Sequence, residues 1–201
     1  MDSIVKGIGR FKREAYPDRE ARFKELGSGQ APQLLLVTCS DSRIDPAMVT
    51  QTEPGEVFVI RNAGNLVAAH GQGLSGEAAT IEYGIEALKI PHLAVCGHTR
   101  CGAMAALAEP GSADGLPAVK TWLEAAEGTL ERAKSIEGFD DELTRIVAAN
   151  VLNQLDRIRT HPSVAKAVEA GTLELHGWIY DFEAGEVLVA DAEGCFSPIC
   201  G

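Results

Sequence analysis

The segment Cys39-Ser-Asp-Ser-Arg43 places a thiol, a carboxylate and a guanidinium within a few residues, directly after the apolar run Leu34 to Thr38. Further along, His98-Thr-Arg-Cys101 places an imidazole and a second thiol just past another apolar run, Leu93 to Cys96. An H-x-x-C pair at a strand end can put both side chains on one metal ion, with Cys39 as a third ligand. Two thiolates and one imidazole around zinc leave a tetrahedral position free, which is the pattern of catalytic rather than structural zinc. Cys101 would open a helix, where the dipole favours the thiolate. Asp41 and Arg43 can pair through two parallel hydrogen bonds. Spacing alone leaves a second reading open. In it Cys39 and Cys101 are small buried residues, His98 is a hydrogen-bonded loop histidine, and Asp41 with Arg43 is an ordinary strand-end ion pair.

The elements that must position these residues can be read from hydrophobic patterning. Ile4 to Leu26 reads as a helical arm, ended by Gly27-Ser-Gly-Gln30. Leu34 to Thr38, Val57 to Ile60 and Leu93 to Cys96 are short uninterrupted apolar runs bounded by turn residues, as buried strands are. Ala78 to Leu88, Ala103 to Ala108 and Asp140 to Arg159 have helical character, and residues 110–117 form a loop. Leu173 to Tyr180 and Val187 to Asp191 read as two strands joined by the turn Glu183-Ala-Gly-Glu186. Alternating strands and helices predict an α/β fold. Its core is a mostly parallel sheet of four to five strands flanked by helices, with an N-terminal helical arm. Ligands in such sheets gather at the carboxyl ends of the strands, where Cys39 and the His98/Cys101 pair both fall.

Composition narrows the function classes. The chain has 201 residues, 45% hydrophobic and 23% charged, which fits one domain with a sizeable core. Its net charge of -11 disfavours nucleic acid and anionic membrane surfaces as partners. No apolar stretch approaches the roughly 20 residues of a membrane-spanning helix. An early acid and a broken apolar pattern at the N-terminus predict no signal peptide, so the expected location is cytoplasmic. Five cysteines without a secretory context argue against a disulfide framework.

Cys39 to Arg43 followed by Gly97-His-Thr-Arg-Cys-Gly102 resembles the paired signature of the β-class carbonic anhydrases. Glu53 to Asn62, Ile81-Glu-Tyr83 and His176-Gly-Trp-Ile-Tyr-Asp181 fit the same family, and Arg61-Asn-Ala-Gly-Asn65 is similar to its bacterial and cyanobacterial members. The resemblance spans about residues 31–190. It implies reversible hydration of CO2 to bicarbonate through zinc-bound hydroxide, with one Zn2+ per subunit on Cys39, His98 and Cys101. It implies catalytic roles for Asp41 and Arg43, with Arg43 keeping Asp41 off the metal. It implies substrate contacts from Gln30, Phe58, Ala63, Tyr83 and the backbone of Gly102, with Gln30 normally supplied by a partner subunit. A homodimer or larger homo-oligomer follows, with residues 1–28 as an arm packing on the partner and 192–201 as a tail. A carboxysome is a compartment this resemblance leaves open. In some members a Trp, an Arg and a Tyr form a non-catalytic bicarbonate site; here Arg61 and Tyr180 match, but Leu36 stands at the Trp position, so an open zinc site is expected. Alternatives on this fold are hydrolysis of CS2 or COS, or a zinc-stabilised assembly role.

Other signals carry less. Gly71-Gln-Gly-Leu-Ser-Gly76 matches a dinucleotide fingerprint in letters only, because no strand directly precedes it. Cys96 is expected in the core, and Cys195 and Cys200 are expected to be free thiols of the tail. His70, His92, His161 and His176 carry no spacing that marks them as ligands.

Overall fold

The computed structural model describes residues 1–72 and 75–199. The arm is a continuous helical rod. It consists of α1 (Asp2–Arg10), a wide π turn (Phe11–Ala15) and α2 (Tyr16–Leu26). The wide turn sits just before Pro17, which has no N–H to give the carbonyl one turn back and crowds it with its ring. No residue of the arm is buried, and Ile4, Val5, Ile8 and Phe11 are all exposed.

The chain then enters the sheet through β1 (Leu34–Cys39), followed by α3 (Pro46–Thr50) and β2 (Val57–Asn62). Next come α4 (Gly76–Glu82), a π turn (Tyr83–Ala87), β3 (His92–His98) and α5 (Gly102–Ala108). Three short helical pieces, α6 (Pro117–Trp122), a 3-10 turn (Leu123–Ala126) and α7 (Thr129–Ala133), lead to the long α8 (Glu142–Arg159). The chain closes with α9 (Pro162–Glu169), β4 (Glu174–Asp181), β5 (Glu186–Ala190) and β6 (Phe196–Pro198). Side-chain caps set several starts: Asp45, Ser75 and Asp141 accept from the backbone N–H groups of Met48, Ala78 and Thr144.

The sheet runs in the order β2-β1-β3-β4-β5-β6, with β2, β1, β3 and β4 parallel and β5 and β6 antiparallel. This is the mostly parallel α/β sheet expected, with six strands rather than four to five. The additional strand is β6, inside the segment read as a tail. Its three residues are too few to carry a strand pattern, and pairing with β5 gives them their shape. Cys200 and the middle of the Gly71–Gly76 stretch lie outside the described residues.

Helix α8 covers one face of β3 and β4, burying Ile146, Val147, Val151, Leu155 and Ile158. Gly97 makes this close approach possible. A Cβ there would lie 2.8 Å from Val147 Cγ1 and 2.9 Å from Val151 Cγ2. The helix that fills the core therefore also fixes the height of the strand end that carries His98.

Candidate metal centre and catalytic dyad

Neighbouring parallel strands bring the predicted ligands together. In the β1–β3 register Thr38 faces Cys96, so Cys39 and His98 emerge side by side from the carboxyl edge. Arg100 then adopts a left-handed backbone (φ 54) that turns the chain back, and Cys101 caps the start of α5. A non-glycine residue held in this region marks a position fixed by its surroundings. The donor atoms of Cys39, His98 and Cys101 lie within 4.8 Å of one another, and all three side chains are buried.

His98 supplies the sharpest local test of a metal. Its Nδ1 lies 2.9 Å from the Thr99 carbonyl. A carbonyl only accepts, so Nδ1 carries the proton and Nε2 presents a lone pair. His98 is 0% exposed, and its Nε2 has no hydrogen-bond partner, one of two such buried side-chain atoms among the described residues. A buried acceptor without a partner is costly, whereas a metal-bound imidazole held through its other nitrogen is the usual arrangement. The donor set, two soft thiolates and an oriented imidazole, fits zinc.

The two cysteines share their protons unequally. The Cys39 thiol is held well below the ordinary thiol range, first because Cys101 donates a hydrogen bond to it, and further by the backbone N–H of Gly64. Cys101 is pushed up by that same thiolate and by burial. A dication between the sulfurs would replace the remaining proton and let both ionise.

Beside this cluster, Arg43 grips Asp41 as a fork. Its Nε donates to Oδ1 at 2.8 Å and its Nη2 to Oδ2 at 2.7 Å. The guanidinium also donates to the Arg100 carbonyl at 3.1 Å and lies 4.5 Å from the centre of the Phe182 ring. Asp41 Oδ2 sits 3.9 Å from His98 Nε2. The Arg43 guanidinium holds the Asp41 carboxyl well below the usual carboxylate range. Arg61 clamps the same turn, donating to the carbonyls of Cys39 at 3.1 Å and Asp41 at 2.8 Å.

The loop after β2 closes the centre. Gly64, at φ 81, donates its N–H to Cys39 Sγ at 3.3 Å. A side chain there would strain the turn and meet Ala103 Cβ at 2.9 Å. The loop is held from behind by residues that sequence reasoning missed. Asn150 Nδ2 donates to the Gly64 carbonyl at 3.0 Å, Gln154 accepts from the Val67 N–H at 2.8 Å and donates to Asn150 Oδ1 at 3.0 Å. Trp122 Nε1 donates to the Ala63 carbonyl at 2.8 Å. The available signal was a pair of amides one turn apart within the apolar stretch of the long helix.

The residues assigned to substrate fall into two groups. Ala63 and Gly102 adjoin the cluster, and a Cβ on Gly102 would meet no atom within 4 Å, so its backbone borders open space. Gln30, Phe58 and Tyr83 do not join it within one chain. Phe58 is registered against Leu35, at the amino end of β1, and its ring lies 6.1 Å from that of half-exposed Tyr83. Gln30 is exposed and precedes β1. About 3.3 Å per strand residue separates this end of the sheet from the ligands by well over 10 Å.

The family model for carbonic anhydrase matches residues 34–187. A carbonic anhydrase of Pseudomonas aeruginosa is 46% identical over 193 residues, covering 95% of this chain and 88% of that protein. The solved β-carbonic anhydrase CcaA superposes with a TM-score of 0.92 at 40% identity over 99% of both chains. One of two tetrameric β-carbonic anhydrases from the filamentous ascomycete Sordaria macrospora superposes with a TM-score of 0.82 at 27% identity, over 98% of this chain and all of that one.

Proposed function

From the premise that the chain belongs to the β-class carbonic anhydrases, and is therefore an enzyme, we propose that it hydrates CO2 reversibly to bicarbonate using one zinc ion held by Cys39, His98 and Cys101. The observation that carries the zinc assignment is the lone pair of His98 Nε2, buried without a hydrogen-bond partner between two thiols. Zinc bound there supplies a Lewis acid that brings the deprotonation of water toward neutral pH, a property the three-histidine carbonic anhydrases exemplify.

The protein's own groups then do the positioning. Asp41 Oδ2, ionised and facing the three donor atoms, accepts a hydrogen bond from the attacking water and orients that water's oxygen toward the CO2 carbon, while the proton released as bicarbonate forms passes to buffer. Arg43 keeps Asp41 in this role by occupying both carboxylate oxygens, so the carboxylate does not become a fourth ligand. Its engagement supports an open, exchangeable site. With Leu36 packed against Ala94 and Cys96, and Arg61 committed to the carbonyls of the 39–41 turn, we assign no bicarbonate-inhibition site to that face.

Ala63 and the Gly102 N–H line the substrate position of their own chain. Phe58 and Tyr83, whose rings face each other toward the amino end of the sheet, and Gln30, just before β1, serve the site of a second subunit, which makes a homodimer the smallest complete enzyme. The exposed apolar residues of the arm support its packing on that subunit. Residues 1–201 then act as one domain with an exchanged arm. Among the described residues no helix is long and apolar enough to cross a membrane.

Metal analysis alongside CO2 hydration tests the proposal. A Cys101→Ala protein that keeps its circular dichroism but loses zinc and turnover together supports it; undiminished turnover without zinc contradicts it.

A further inference from the structure

A second set of metal-ligating side chains lies at the other end of the sheet. His92 opens β3 and is registered against Glu174, which opens β4, while Ala94 is registered against His176. Side chains alternate between faces along a strand, so His92, Glu174 and His176 project from one face of two paired strands. Six strand residues, about 20 Å, separate His92 from His98.

The three donor atoms already form a compact triangle. His92 Nδ1 lies 3.2 Å from His176 Nε2 and 3.6 Å from Glu174 Oε2. His176 Nε2 lies 3.9 Å from that same oxygen. An ion with tetrahedral bonds of about 2.0–2.1 Å holds its donors about 3.3 Å apart, so these separations approach ligand geometry with little movement.

We propose that His92, Glu174 and His176 form a second cation site, selective for a borderline divalent transition ion such as Zn2+, Co2+ or Ni2+. The surroundings suit that role. His176 is the anchored ligand, largely covered and packed 6.2 Å from the Trp178 ring. His92 and Glu174 are the open side, with side chains 46% and 68% exposed, through which an ion enters and keeps water ligands. A bound ion bridges the first residues of β3 and β4, so occupancy stabilises the fold by mass action.

The test starts from protein brought to one zinc per subunit, with excess zinc removed, and adds Co2+, reading bound cobalt, its visible spectrum and CO2 hydration. The expected result is one cobalt beyond the zinc, with d–d bands but no thiolate-to-cobalt charge transfer, and unchanged hydration. His92→Gln and Glu174→Gln, both at exposed positions, should each weaken this binding by about tenfold or more. His176→Gln should do the same, although its partial burial makes it the less secure variant. No additional cobalt in the wild type overturns the proposal. So does cobalt binding that survives in the His92 and Glu174 variants, or one that carries thiolate charge transfer, which would place the ion on cysteine.

Discussion

Arg43 holds both carboxylate oxygens of Asp41, at 2.8 and 2.7 Å, while one of those oxygens stands 3.9 Å from the unpartnered nitrogen of His98. The carboxylate is thus close enough to the ligands to act beside a metal and is held back from joining them. Lysine cannot reproduce a planar two-point grip. Arg43→Lys is therefore expected to lower kcat for CO2 hydration by roughly 10- to 100-fold with zinc content unchanged, the size of effect seen when an outer partner of a metal site is removed. Turnover at the wild-type level would show that the fork has no part in the reaction.

The same grip links folding to acid. Asp41 has a folded pKa depressed below its unfolded value of about 4, so its stabilising contribution is complete above that pH and is lost as pH falls through the folded value. Asp41→Asn removes the contribution. Urea denaturation should give a stability gap between the two proteins that is constant from neutral pH down to about 5 and narrows below 4. A gap that widens in acid has the wrong sign for this account.

Gly97 lets α8 sit on β3 immediately before His98. Gly97→Ala puts a methyl 2.8–2.9 Å from Val147 and Val151, both buried in the core. Overpacking of this kind costs about 1–3 kcal/mol, and the strain falls on the residue next to a ligand. Thermal melting should register the loss, and zinc affinity should fall with it. An unchanged melting temperature would mean that the helix moves away freely.

The arm carries the case for a dimer. Ile4 and Ile8 lie one turn apart and are 62% and 66% exposed. Ile4→Asp with Ile8→Asp should shift light scattering toward monomer and remove most CO2 hydration, since Gln30, Phe58 and Tyr83 then have no second site to serve. A fully active monomer would place those residues outside the reaction.

That Cys39, His98 and Cys101 come together was legible because they follow uninterrupted apolar runs, and two such runs in parallel end side by side. Cys39, Asp41 and Arg43 are close in sequence, and His98 and Cys101 are one turn apart, so little tertiary information was needed. The support behind them was not legible. Asn150 and Gln154 act on the Gly64–Val67 loop from more than 80 positions away, through contacts that only the packed helix creates. The short helices α3, α6, α7 and α9 escaped notice because five to eight residues give little periodicity to read. The pairing of His92 with His176 depends on strand register, which no local spacing reveals.

Stopped-flow CO2 hydration, with turnover expressed per bound zinc between about pH 6.5 and 9, tests the central claim most directly. Two anionic thiolates leave zinc a weaker Lewis acid than three imidazoles do, so water is activated at higher pH. The expected result is fast turnover proportional to zinc and rising toward the alkaline end. Fully zinc-loaded protein with no turnover at any of these pH values would contradict the account.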